Sequence, residues 1–516
     1  MTRGSLPRLI GALVLASTPP LAAQTFRTDD PVIRQIWTEG MDHSQAERLA
    51  QVLLDSIGPR LSGSPAYASA VQWLSGMYQS WGIPVRTEQY GTWRGWRQGL
   101  LHVDLLAPRL RALEGHLLAW SPGTNGPIEG DVIAVPELSS PAEATAWLRS
   151  VRGKIVLASA PEAICREPQA FAELATAETV ERAIAARRAS QASWDARLDA
   201  LGRRQAHRRL EDAGAIAVVT SRWSEGWGVN KVFSAATERA VSVDLSCEDY
   251  GLLYRLTSHD QGPRVRIDAQ AEATGVAPMF NVIAELRGSE LPDEYVLLGA
   301  HLDSWHAASG ATDNGTGSVM MAEAMRILQA AYPHPRRTII VGHWGGEEQG
   351  LIGSNAFAED HQDIVDNVQV AFNQDNGTWR VDYIQAQGFS RAGGSLARWL
   401  GQIPDEIAQH IELDVPGPQE RGGSDHMSFL CRGVPSFRFQ SNYPDYRQYT
   451  WHTDRDTYDK IVFDDLKNNA TLAAMMAYLA SEDPERVPRD RSVLPPGANG
   501  TPRAWAQCFP ARRAAN

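Results

Sequence analysis

Basic charge, long apolar runs and cysteine are all scarce in this chain of 516 residues. Lysine and arginine number 49 against 61 aspartates and glutamates, a formal net charge of −12. Phosphate recognition needs a clustered basic face, so no nucleic-acid partner is expected. A bilayer span requires roughly 20 apolar residues; the longest clear run here, 9–16, is far shorter, and no membrane span is expected. The four cysteines (Cys165, Cys247, Cys431, Cys508) are too few and too scattered for a disulfide scaffold or a zinc knuckle. Their spacing leaves all three full pairings open, and free thiols as well. There is no Gly-x-Ser-x-Gly elbow, no His-Glu-x-x-His helix and no cysteine in a recognisable catalytic context. Serine hydrolases, zincins and cysteine hydrolases are therefore disfavoured.

What is present reads as an ordinary globular protein, 43% hydrophobic and 21% charged, long enough for two to three domains. At the N-terminus, Arg3 and Arg8 precede the apolar run, and Leu21-Ala22-Ala23 provides a small-residue end. This is the layout of a secretory signal peptide over 1–23, which implies export, to the periplasm or beyond. Residues 30–60 and 66–82 show helical spacing, with turn chemistry around Gly58-Pro59 and Gly63-Ser64-Pro65. From about 113 to 268 the pattern changes to short strands near 130–133, 154–157 and 215–220, a helix near 141–149, and a long charged helical stretch over 173–209. No chemical cluster appears there, so this is an accessory module inserted between 24–112 and 269–485. The tail 486–516 reads as irregular, with Cys508 placed to pin it.

Strands and helices alternate again from 280 to 480. Strand-like runs at 281–286, 295–299, 338–342 and 368–372 interleave with helical runs at 319–330, 351–358 and 396–400. Such alternation predicts an α/β/α sandwich on a mainly parallel sheet, with reactive groups just beyond the carboxyl ends of its strands. Five loops there carry acids or imidazoles: Gly299-Ala300-His301-Leu302-Asp303, Ala311-Thr312-Asp313-Asn314-Gly315, Gly345-Gly346-Glu347-Glu348-Gln349, Asn373-Gln374-Asp375-Asn376 and Trp451-His452-Thr453. Any one alone would be a turn or a structural histidine. Together, two imidazoles and three carboxylates suffice for two metals if one carboxylate bridges. The Glu347-Glu348 pair leaves one glutamate free to move protons. Asp303, on the same face of an extended segment as His301, is placed to orient that imidazole.

This set resembles the co-catalytic zinc exopeptidases of the aminopeptidase and glutamate carboxypeptidase family, and within it the secreted carboxypeptidase Q-like group. The resemblance covers roughly 30–105 and 270–480. It implies two zinc ions per chain and peptide substrates. His301 and Asp375 would serve one zinc, Glu348 and His452 the other, with Asp313 bridging, Glu347 as general base and Asp303 behind His301. It implies also a homodimer, and makes 113–268 a protease-associated-like domain that roofs the cleft. Ser424, Asp425 and His426 fall on a loop beside the substrate. The family's substrate-facing tyrosine falls on Arg421 or Trp451, so Arg421 is a candidate for holding an oxyanion or a substrate carboxylate. Which peptide end is cut stays open. Glutaminyl cyclases share several of these loops, and non-catalytic receptors share the fold. The Glu347-Glu348-Gln349-Gly350 version and the full set of competent ligand side chains favour the peptidase.

Overall fold

The computed structural model describes residues 28–420, 423–493, 496, 500–501 and 503–515. The signal-peptide segment 1–23 and Arg421 lie outside them. Among the described residues no helix is long and apolar enough to cross a membrane.

The fold is mixed α/β around a twelve-stranded sheet. One half of it has the order Ser436–Phe439, Val368–Gln374, Leu291–His301, Arg337–Trp344, all parallel. The strand Arg264–Leu286 then joins antiparallel to Arg337–Trp344. Both faces of these strands are buried, which is why they read as continuous Val/Ile/Leu runs. One face is closed by Thr316–Ala331 and Phe463–Glu482, packed against Leu298, Val341 and Phe372. The other is closed by Phe357, Ile364 and Phe429 against Ile283, Leu297 and Ile340.

Two long strands carry the sheet across the molecule; the sequence reading anticipated only residues 281–286 of the second. Val85–Ala107 and Arg264–Leu286, each 23 residues long, run antiparallel over most of their length. The early part of Arg264–Leu286 pairs with Ile128–Ala134, from which Ile155–Leu157, Ala217–Thr220 and Val241–Leu245 continue in parallel. These strands have two apolar clusters of their own, one around Leu105, Ile155, Val219 and Val265 and one around Val156, Trp194 and Val218. The charged stretch expected over 173–209 forms the helix Ala177–Leu201, stopped by Gly202 in the left-handed region at φ 77°, and the start of a second, Ala206–Asp212.

All four cysteines are paired, Cys165 with Cys247 and Cys431 with Cys508. The second bridge fixes the tail, as its position suggested. Trp505 packs on Phe389, and the Arg513 carbonyl accepts from the Thr92 backbone at 2.8 Å.

Candidate metal centre

The parallel strands end together, so the loops that follow them converge. His301 closes its strand, Glu347 and Glu348 follow Arg337–Trp344, and Asp375 follows Val368–Gln374. Asp313 lies just before the helix Thr316–Ala331. His452 arrives from a late loop. His301 Nε2 stands 3.1 Å from Asp375 Oδ1 and 3.3 Å from Asp313 Oδ1. His452 Nε2 stands 2.9 Å from Glu348 Oε2 and 3.1 Å from Asp313 Oδ2. Two clusters result, His301–Asp313–Asp375 and Asp313–Glu348–His452, each with its ligand atoms within 4.8 Å of one another. Asp313 belongs to both, one oxygen facing each imidazole. Glu347 is the remaining acid, its Oε2 4.0 Å from His301 Nε2.

Charge balance tells what this arrangement needs. Asp303, Asp313, Glu347, Glu348, Asp375, Asp425 and Asp456 crowd the cluster, all nearly or fully buried. Burial raises the Glu348 pKa to about 7, with Asp313 adding to it and His452 opposing. Burial likewise raises Glu347 well above the usual carboxylate range, against the pull of His301. Glu348 Oε1 is buried without a hydrogen-bond partner. Carboxylates in this density call for cations, and a set of two imidazoles and three carboxylates suits zinc. The residues fit the metal.

Several groups hold the ligands in place. The Asp303 carbonyl receives His301 Nδ1 at 3.0 Å, while its carboxylate stands 3.7 Å from that nitrogen. The imidazole is thus oriented by the Asp303 backbone rather than, as expected, by its side chain. The carboxylate instead accepts from the backbone N–H groups of Glu347 and Glu348 at 3.1 and 3.3 Å. It holds the turn that carries the glutamate pair. Asp456 accepts from the Thr312 and Asp313 N–H groups at 2.8 and 3.1 Å. Arg60, wholly buried, donates to the carbonyls of Gly58, Leu302, Ser309 and Gly310 at 2.6–3.0 Å. It ties the His301 loop to the Asp313 loop. Sequence reading missed Asp456 and Arg60, because neither stands in a strand-end loop of the expected kind.

Ser424, Asp425 and His426 do not line the cleft. All three are at most 1% exposed, because the short helix His426–Leu430 is packed under the sheet end. Ser424 Oγ accepts from Asn373 Nδ2 at 2.8 Å. His426 meets Glu420 at 2.9 Å. Burial pushes Asp425 up to about 7, against His301. The cleft above the candidate metal ligands, about 580 Å³, is lined instead by Arg438, Tyr446, Arg447 and Trp451. Tyr446 was not anticipated; its phenol is pushed up by burial and then by Asp313 and Asp375, so it stays a neutral donor.

The His452 loop is braced from the 113–268 segment. His452 adopts a left-handed backbone, φ 59°, a conformation that costs about 1–3 kcal/mol unless its surroundings impose it. Here the Val232 N–H donates to the His452 carbonyl at 3.0 Å and the Asp454 N–H to the Asn230 carbonyl at 3.0 Å. The Asp454 carboxylate accepts from the Asn230 N–H at 3.0 Å and meets His116 at 3.1 Å.

A mainly parallel α/β sheet of this kind recurs among solved structures. A peptidase M28 precursor from Shewanella amazonensis superposes with a TM-score of 0.64 at 23% identity, covering 89% of this chain and 97% of that one. BSAP, a zinc aminopeptidase from Bacillus subtilis, superposes at 0.56 and 19% identity, covering 86% and 96%. In sequence, carboxypeptidase Q of Xenopus laevis is 26% identical over 453 residues, 86% of this chain and 87% of that one. The class that these relationships and the site define is the metallo-exopeptidases. More particularly, residues 281–477 match the model of peptidase family M28.

Proposed function

We propose that this chain is an exported exopeptidase working with two zinc ions and with Glu347 as general base. The observation that carries the reading is the pair of carboxylate–imidazole clusters sharing Asp313. In this reading His301 and Asp375 hold one ion, Glu348 and His452 the other, and Asp313 both. Ions held there supply Lewis acidity towards the scissile carbonyl and acidify a water towards a pKa of ~7. Glu347 takes the proton of the attacking water and returns it to the leaving amine, the task its nearness to His301 suits. Asp303 keeps Glu347 and Glu348 in register through their N–H groups. Tyr446 offers a neutral hydroxyl inside the cleft.

Residues 113–268 form, in this reading, a protease-associated-like unit over the cleft. Its own apolar clusters and its grip on 452–454 support that role. Export is supported by the N-terminal charge and apolar pattern and by two disulfides, which persist in oxidising compartments.

The test combines metal analysis with mass spectrometry of products from free, amino-blocked and carboxyl-blocked di- and tripeptides. Two zinc ions per chain and chelator-sensitive release of one terminal residue are expected. Glu347→Gln should keep both ions and lose about 10²–10⁴-fold in kcat. A single bound ion, or full activity in that variant, would overturn the assignment.

A further inference from the structure

Two cations held against Trp451, itself part of the cleft lining, have no use in the chemistry above. Lys231 Nζ lies 4.8 Å from the centroid of the Trp451 ring, and Arg447 Cζ lies 4.4 Å from it. Trp451 itself stacks on His452 at 3.9 Å and 23°, so the pair is one aromatic layer from a candidate metal ligand. Lys231 comes from the 113–268 segment and Arg447 from the loop before Trp451. Among the described residues, neither has a carboxylate within 4.0 Å. Burial and then the Arg447 charge lower the Lys231 pKa, opposed by Glu225. Two like charges thus share one indole, Lys231 partly buried and Arg447 exposed, in a chain whose net charge is −12. That arrangement stores repulsion which an anion would relieve.

The acids of the cleft are all engaged. Asp313, Glu348 and Asp375 face the imidazoles, and Glu347 is the base of the proposed mechanism. Glu420, beside the cleft, is held by His426 at 2.9 Å and Arg438 at 3.3 Å. Arg438 is itself spent on Glu420 and on the Asp375 carbonyl at 3.0 Å. Among the described lining residues no carboxylate is left to receive a substrate ammonium group, whereas Arg447 in the lining and Lys231 beyond Trp451 have no carboxylate within 4.0 Å.

We propose that Lys231 and Arg447 clamp a carboxylate of the peptide substrate, so that the cleft selects peptides presenting a free carboxylate at its mouth. The clamp spans the two parts of the chain and makes the 113–268 segment a contributor to specificity. This rests on the exopeptidase reading. The carboxylate can belong to the C-terminus or to an acidic side chain, and the substrates below separate the two.

The zinc-loaded enzyme is assayed on a neutral dipeptide, its C-terminal amide, and an amide whose last residue is glutamate. Wild type, Arg447→Gln, Lys231→Gln, the double variant and Arg447→Lys are compared. A charge-assisted contact predicts a preference for the free acid over the neutral amide of about 10–100-fold. That preference should shrink in each single variant through KM, with kcat little changed, collapse in the double variant and return in part with Arg447→Lys. Recovery of the glutamate amide would name the side chain as source, and its failure the C-terminus. Equal use of all three substrates by wild type, or an unchanged preference in the double variant, would overturn the clamp while leaving the exopeptidase reading intact. If no peptide is cleaved, calorimetry of the same three peptides on zinc-loaded Glu347→Gln, with and without the clamp substitutions, decides the clamp separately. Loss of acid-selective binding supports it, and undiminished binding overturns it.

Discussion

Asp303 illustrates how much of this site is held by backbone rather than by side-chain contacts. Its carbonyl faces His301 and its carboxylate holds two N–H groups of the glutamate turn. Asp303→Asn keeps the shape but replaces one acceptor oxygen with a donor aimed at an N–H. The expected outcome is full zinc content with kcat lowered at least tenfold, about the smallest effect seen for groups behind metal ligands; stopped-time product analysis reads it. Arg60 acts on stability. Removing its guanidinium strands four buried carbonyl contacts, and Arg60→Met should cost about 3 kcal/mol or more in urea denaturation. His306 gives the pH dependence. It is buried, donates to the Leu117 carbonyl at 2.6 Å, and burial lowers its pKa to about 4. Its native state binds fewer protons than the unfolded state, whose histidine titrates near 6.5. The contribution is complete above pH ~6.5 and is lost as pH falls towards 4, on the order of 3 kcal/mol in all. The urea midpoint of wild type should fall over that window more steeply than that of His306→Gln.

At the scale of elements, the late loop 450–456 is the one whose conformation depends most on a distant partner. His452 sits in the left-handed region because residues 230–232 hold it there from across the cleft. Asp454 is the shared anchor, bonded to Asn230 and facing His116. If the proposed two-ion centre holds, Asp454→Ala should therefore weaken the site that His452 serves and spare the other. A loss of about 10–100-fold in affinity for one of two ions, read by chelator competition, is the expected size for a supporting partner. Equal weakening of both ions would mean that the brace acts on the whole centre. The helices Thr316–Ala331 and Phe463–Glu482 provide the opposite case, since each is packed nearly all round and owes its placement to the core alone.

For the whole molecule, two covalent bridges close loops of 82 and 77 residues. Chain-entropy arguments assign each about 4 kcal/mol, through the unfolded state. Breaking the second by Cys431→Ser with Cys508→Ser should lower the melting temperature by several degrees while zinc content stays at the wild-type level, because the tail contributes none of the candidate ligands. Differential scanning calorimetry with parallel metal analysis checks both parts. A loss of zinc in that variant would show the tail to support the centre through Gln419, which accepts from the Ala506 N–H at 3.0 Å.

By itself the sequence determined the α/β class, the order of strand-end loops and the ligand-type residues on them, because each of those is local. A buried parallel strand is an unbroken apolar run, and the acid or imidazole one or two residues beyond it must emerge at its end. The helix Phe463–Glu482 was not legible, since burial on nearly every side removes the 3.6-residue alternation that marks a surface helix. Nor were the strand Val85–Ala107 and all but the last six residues of Arg264–Leu286, whose outer stretches are half exposed and interrupted by register shifts. Only the tertiary structure decided which cysteines pair, which face of Asp303 meets His301, and that Ser424, Asp425 and His426 lie beneath the cleft. It alone brought Arg60 and Asp456 to the ligand loops, and Lys231 to Trp451 from more than two hundred residues away. The physical reason is the same in each case: such contacts are set by how separate elements pack, and no periodicity along the chain encodes their distance.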